Sequence, residues 1–171
     1  MIELRAFDTA DRALLRSWVA SPEQLLLWAG PSFTWPLDDD QLAAYQKAWA
    51  GADRRVWTAV DATTGSPVGH ASVRLVEPDT GRLGRVLIDP HRRGHGLGDA
   101  LVGAVLSHAF TPMGLARVEL GVFAHNTPAV RLYERHGFTT DEVFRGVERV
   151  DGVSWDALQM SLTRAAYAGT G

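Results

Sequence analysis

Val86-Leu87-Ile88-Asp89-Pro90-His91-Arg92-Arg93-Gly94-His95-Gly96-Leu97-Gly98-Asp99-Ala100-Leu101 is the stretch on which the fold turns. Three apolar residues suit a strand, Asp-Pro opens a turn, and three alternating glycines lead into an apolar run. Leu101, Val105 and Ala109, with Val102 and Leu106 beside them, recur at the spacing of a helix face that packs on a sheet. Glycines allow the backbone to approach a ligand closely. The first N–H groups of the helix lack internal acceptors and point outward at its positive end. A strand, glycine loop and helix in this order form an anion cradle, most naturally for a pyrophosphate; a flexible turn without a ligand is the plain alternative.

To either side, the rhythm of the chain differs. Before the loop, strand patterns cover Ile2–Phe7, 55–60, 67–76 and 83–88, with a turn-forming segment at 61–66. Asp8 and Thr9 offer caps to a helix carrying Leu14, Leu15, Trp18 and Val19. A short helical stretch at 23–28 and a helix at 38–50 flank a loop rich in aromatics and prolines. After the loop come a helix at 97–110, a strand at 118–123, a helix at 128–136, and strands at 138–150 and 154–162. The β-α-β-α run implies one parallel strand pair within an otherwise antiparallel order. The expected class is therefore α+β: a mixed, mostly antiparallel twisted sheet with helices on both faces. No repeat or linker divides the chain, so a single domain is expected over 1–164, followed by a frayed tail at 165–171.

Composition narrows the function. The 171 residues are 46% hydrophobic and 22% charged, enough apolar material for one folded core. The formal charge of −3 argues against a broadly basic nucleic-acid-binding face. With no cysteine, thiolate metal sites, disulfides and cysteine nucleophiles are excluded. Lys47 is the one lysine, so no phosphate-binding Gly-Lys-Ser/Thr triplet exists. No apolar run reaches membrane-spanning length, and the first residues do not form a signal peptide. The expectation is a cytoplasmic protein without nucleic-acid or membrane partners. His91 and His95 are four apart but lie in a glycine loop, so no metal site is expected.

Dinucleotides and coenzyme A compete for the cradle. The dinucleotide motif G-x-G-x-x-G does not fit glycines at 94, 96 and 98, although Glu119 lies about 20 residues on. Coenzyme A fits better. Arg93-Gly94-His95-Gly96-Leu97-Gly98 resembles the R/Q-x-x-G-x-G/A motif of the GNAT superfamily of N-acetyltransferases. A second block, Val118 to Asn126 and then Ala129-Val130-Arg131-Leu132-Tyr133-Glu134-Arg135-His136-Gly137-Phe138, resembles that superfamily's N-x-x-A-h-x-L-Y-x-x-x-G-F pattern. The paired blocks span roughly 83–140.

The resemblance implies acetyl transfer from acetyl-CoA to a primary amine by direct attack in a ternary complex, without a metal. It assigns pairing with the pantetheine arm to Val86, Leu87 and Ile88. The pyrophosphate falls to the loop Arg93, Gly94, His95, Gly96, Leu97, Gly98 and Asp99. Asn126 matches the family's asparagine, and Tyr133 its tyrosine, usually assigned to protonating the departing thiolate. Independently, Thr127-Pro128 reads as a helix start and Gly137 as a stop, with Tyr133 in mid-helix.

Two positions depart from the pattern. The ribosomal-protein alanine acetyltransferases carry a glutamate five residues before the asparagine, and here that position is Gly121. Glu119 shares its face by strand alternation and is the candidate base, with His125, Asp89, Glu77 and Asp141 as further options. Asp99 would repel a pyrophosphate unless it points away or is offset by Arg92, Arg93 or Arg131. Trp28, Phe33, Trp35 and Tyr45 are candidates to line an acceptor pocket, with core packing the alternative. The acceptor is open among protein N-termini, peptides, polyamines, antibiotics and metabolites. A catalytically silent acyl-CoA-binding module is the alternative function. The family often dimerises, which leaves a homodimer open.

Overall fold

The structure, a computed structural model, describes residues 1–168. Seven strands form one sheet: β1 (Ile2–Ala6), β2 (Arg54–Asp61), β3 (Pro67–Glu77), β4 (Thr80–Ile88), β5 (Arg117–Phe123), β6 (Thr139–Val150) and β7 (Val153–Thr163). Their order is β1-β2-β3-β4-β5-β7-β6. All neighbours are antiparallel except β4 and β5, whose parallel pairing is confined to residues 80–82 against 117–119. Beyond those residues the two strands part, and the split opens between Ile88 and Phe123. The class expected from the sequence is the class observed.

Helices cover both faces. On one, α1 (Asp11–Trp18), α2 (Pro22–Ala29) and α3 (Asp39–Ala48) bury Leu15, Trp18, Leu25, Trp28, Leu42 and Tyr45. On the other, α4 (Leu97–Phe110) seats Leu101, Val102, Val105 and Leu106 against Val68, Ala71, Val73 and Val118. Its limits match the sequence reading, because a glycine precedes it and apolar residues fill its buried face. Next to it, α5 (Thr127–Arg135) adds Tyr133 to the same core. Its start differs from expectation: Asn126, not Thr127, is the cap position, and its side chain does not cap the helix. α2 begins at a capping Ser21, which accepts from the Gln24 N–H at 3.1 Å.

Two more boundaries differ. β4 starts at Thr80 rather than 83, because Pro78 and Asp79 make a tight turn out of β3. The expected frayed tail instead opens with a short helix, α6 (Arg164–Ala168). Tyr167 stacks on Phe110 with ring centroids 4.8 Å apart, and the Arg164 Nε–H donates to the Leu115 carbonyl at 2.8 Å. The last part of that expected tail, 169–171, lies outside the described residues.

One irregularity shapes the centre. His70 pairs with Leu87 and Ser72 with Gly84, so two residues of β4, Arg85 and Val86, oppose one of β3. Arg85 takes up this bulge with φ 52°, a left-handed conformation that is costly for a side chain with a Cβ. The bulge lies on β4 just beyond its pairing with β5, at the start of the split.

Candidate active site

Two cavities meet at the split. The first, about 650 Å³, runs along Val86, Leu87 and Ile88, past Gly94, Gly96, Leu97, Gly98 and Asp99, to Asn126 and Tyr133. Gly94 and Gly96 have φ of 81° and 73°, left-handed values that glycine adopts without strain and that turn the loop into the start of α4. Gly96 is the cap residue and offers no side chain, which leaves the first-turn amides of α4 without a side-chain acceptor. A Cβ at Gly98 would stand 3.3 Å from Leu132, so this glycine sets the close approach of α4 to α5.

Arg92, Arg93 and Arg131 line the same cavity. Asp99 does not oppose them uncompensated: Arg135 of α5 donates to both of its carboxylate oxygens, at 3.2 and 2.8 Å. That pairing lowers the Asp99 pKa. The His95 side chain does not line the cavity. Its ring turns back to the carbonyl oxygens of Arg93 and Arg92, at 2.9 and 3.3 Å. Apolar walls, a glycine-rich cradle and three guanidinium groups suit a ligand with a thin apolar arm and a pyrophosphate.

The second cavity, about 770 Å³, lies between α2 and strands β2 to β7. Leu27, Trp28, Val86, Asn126, Ala129 and Tyr133 belong to both walls. Tyr133 is 8% exposed, and burial raises its pKa above the ordinary tyrosine value. Its hydroxyl therefore keeps its proton. Among the described residues, neither the Tyr133 hydroxyl nor the Asn126 amide group has a hydrogen-bond partner.

The structure brings Glu119 to neither cavity. Its carboxylate pairs with Arg82 Nη1 at 2.8 Å, and Arg82 also donates to Gln159. Gly121 explains the arrangement: a Cβ there would lie 2.8 Å from Arg82 Nη2. The other proposed bases are also absent from both walls. Asp141 pairs with Arg117 at 2.8 Å, Asp89 accepts from the His91 N–H at 3.0 Å, and His125 packs on Trp155 with centroids 4.3 Å apart. The one carboxylate in the second wall is Glu148 of β6. Sequence reasoning missed it, because only the irregular register between β6 and β7 carries it to the site. Of the four aromatic candidates, Trp28 lines the cavities, Phe33 stacks on it and Tyr45 meets Phe33 edge-on, whereas Trp35 is solvent-exposed.

With this geometry in view, comparison with known proteins is decisive for the family. The sequence profile of the Acetyltransferase (GNAT) family matches residues 22–138. The chain belongs to the GNAT family. A mycothiol acetyltransferase of Salinispora tropica is 35% identical over 125 residues, covering 59% of this GNAT chain and 41% of that protein. A putative phosphinothricin acetyltransferase of Bacillus subtilis is 34% identical over 71 residues, covering 42% and 43%. This GNAT chain thus spans less than half the length of these curated relatives. In fold it is similar to the spermidine N-acetyltransferase of Vibrio cholerae in complex with CoA and spermine, with a TM-score of 0.85, 21% identity and 98% of both chains covered.

Proposed function

We propose that the chain is an acetyl-CoA-dependent N-acetyltransferase that works by direct attack of a primary amine in a ternary complex. The observation that carries this reading is the shared wall. Tyr133 and Asn126 stand where the cavity lined by the glycine loop meets a second cavity. Acetyl-CoA supplies an activated thioester, so that an N–C bond forms as the C–S bond breaks.

The rest is done by the chain. The loop amides from Gly94 to Asp99, with Arg92, Arg93 and Arg131, take the pyrophosphate, and Val86, Leu87 and Ile88 hold the pantetheine arm. The parting of β4 from β5 leaves backbone groups of β4 free to orient it, and positioning of the two reactants carries much of the rate. Tyr133 Oη keeps its proton and donates a hydrogen bond to the sulfur as thiolate charge develops beside it. Glu148 takes the proton of the incoming ammonium, directly or through water. Glu119, bound to Arg82, fixes that guanidinium instead of serving as the base.

The test is thiol release from acetyl-CoA in the presence of a panel of primary amines, with the acetylated amine identified by mass. Amine-dependent release is the expected result. Tight acetyl-CoA binding with no release for any amine would leave a silent acyl-CoA-binding module as the function.

A further inference from the structure

Arginines are the cations of the second cavity's wall: Arg54, Arg74, Arg82 and Arg85. Across three adjacent strands Arg54 pairs in register with Arg74, and Arg74 with Arg82. Like charges directly opposite one another destabilise a sheet, so a row of three arginines works against the fold that holds it. Arg85 adds a fourth guanidinium to the same wall. It is half-buried and lies 4.8 Å from the Tyr45 ring centroid, 5.2 Å from that of Trp49 and 5.6 Å from that of Phe33. Its Nε is buried with no hydrogen-bond partner, and the strained bulge conformation is what aims the side chain there.

Counter-charge inside the molecule is incomplete. Glu119 pairs with Arg82, and Asp53 lies 3.5 Å from Arg54. Among the described residues, Arg74 and Arg85 have no carboxylate partner. Glu148 is the one acid in the wall. A half-buried guanidinium without an anion is costly to maintain, and planar guanidinium groups are suited to carboxylates. A polyamine brings two or more ammonium groups and would meet this wall with the wrong sign.

We propose that the acceptor is an aminocarboxylate: a small molecule carrying both a primary amine and a carboxylate. Arg74 and Arg85 bind its carboxylate, while its amine faces the Tyr133 end of the cavity. This rests on the acetyltransferase reading above, and deepens it by naming the acceptor class. It also separates this chain from the spermidine N-acetyltransferase whose fold it shares.

The experiment compares amino acids with their own amides and with spermidine at saturating acetyl-CoA, following thiol release. In parallel, the melting temperature is recorded with acetyl-CoA alone. The expected kcat/KM is about 10–100-fold higher for the carboxylate than for its matched amide, the range for charge-assisted hydrogen bonds lost at a site built for them, with spermidine poorest. In Arg74→Gln and Arg85→Gln that preference falls toward unity through KM, while the acetyl-CoA melting shift is retained, which shows that the variants fold. Amides or spermidine used as well as aminocarboxylates would overturn the proposal. So would an acetyl-CoA shift accompanied by no acetylation of any aminocarboxylate. Absence of the acetyl-CoA shift would instead overturn the acetyltransferase reading.

Discussion

In the proposed mechanism Tyr133 and Glu148 carry the chemistry, and each makes a separate demand on experiment. Because burial makes the Tyr133 hydroxyl a weaker acid than free tyrosine, full proton transfer to a thiolate is uphill. Even the unperturbed pair, near ~10 and ~8.5, leaves it uphill by about 2 kcal/mol. Its contribution is then a hydrogen bond that strengthens as charge develops. Tyr133→Phe is expected to lower kcat by about 10–1000-fold with the KM for acetyl-CoA little changed; unchanged kinetics would remove it from the mechanism. Glu148→Gln is expected to cost at least ~10-fold in kcat/KM near neutral pH and much less at about pH 9, where an α-amine of pKa ~8 is already neutral. Glu119→Gln should not show that rescue. The place of Tyr133 and Asn126 in the cavity wall was legible because both sit in a contiguous motif. Glu148 was not, since its placement depends on a strand register that no local pattern reveals.

Among the elements, α4 and its glycine loop were read correctly to the residue, since glycine punctuation and an apolar helix face are local signals. The partner of Asp99 was not, because Arg135 lies 36 residues away on α5. That ion pair offsets the acidic residue in the first turn of the helix proposed to take the pyrophosphate. Removing it with Arg135→Ala should expose the cradle to an uncompensated carboxylate and raise the Kd for acetyl-CoA by about 3–10-fold, a modest change because the pair is solvent-exposed. Asp99→Asn in the Arg135→Ala background should restore binding. Calorimetric titration of the three proteins decides the matter, and unchanged affinity in Arg135→Ala would contradict it. The early start of β4 and the cap at Asn126 escaped sequence reading for a related reason: tight turns and helix caps compete over one or two residues.

For the molecule as a whole, the core between α1–α3 and the sheet holds a histidine that cannot charge. His70 is 1% exposed, and its Nε2 lies 3.1 Å from the Tyr45 hydroxyl. Burial, reinforced by the Arg85 guanidinium, pushes its pKa down to about 3. In the unfolded chain it titrates near ~6.5. Between those values the unfolded state binds a proton that the folded state excludes, so stability is held above about 6.5 and lost as pH falls through the window. Burial lowers His108 and His136 as well, and both act in the same direction. Urea midpoints should fall between about pH 7.5 and about pH 5, as the unfolding free energy drops by up to ~1.4 kcal/mol per pH unit for each such histidine. His70→Gln should flatten that dependence, and equal midpoints in the native sequence would contradict the account. Sheet class and the parallel pair were visible in the order of elements, whereas the cross-strand row Arg54, Arg74 and Arg82 became visible only with the register.

The central claim is that the split between β4 and β5 receives acetyl-CoA. Thermal unfolding with acetyl-CoA, beside a matched run with NAD, tests it most directly. At about 100 times its Kd a ligand adds ~2.7 kcal/mol, which for a chain of this size raises the melting temperature by roughly 5–10 °C. The account predicts that shift with acetyl-CoA and none with NAD. A well-folded sample that shifts with NAD, or with neither, would contradict it.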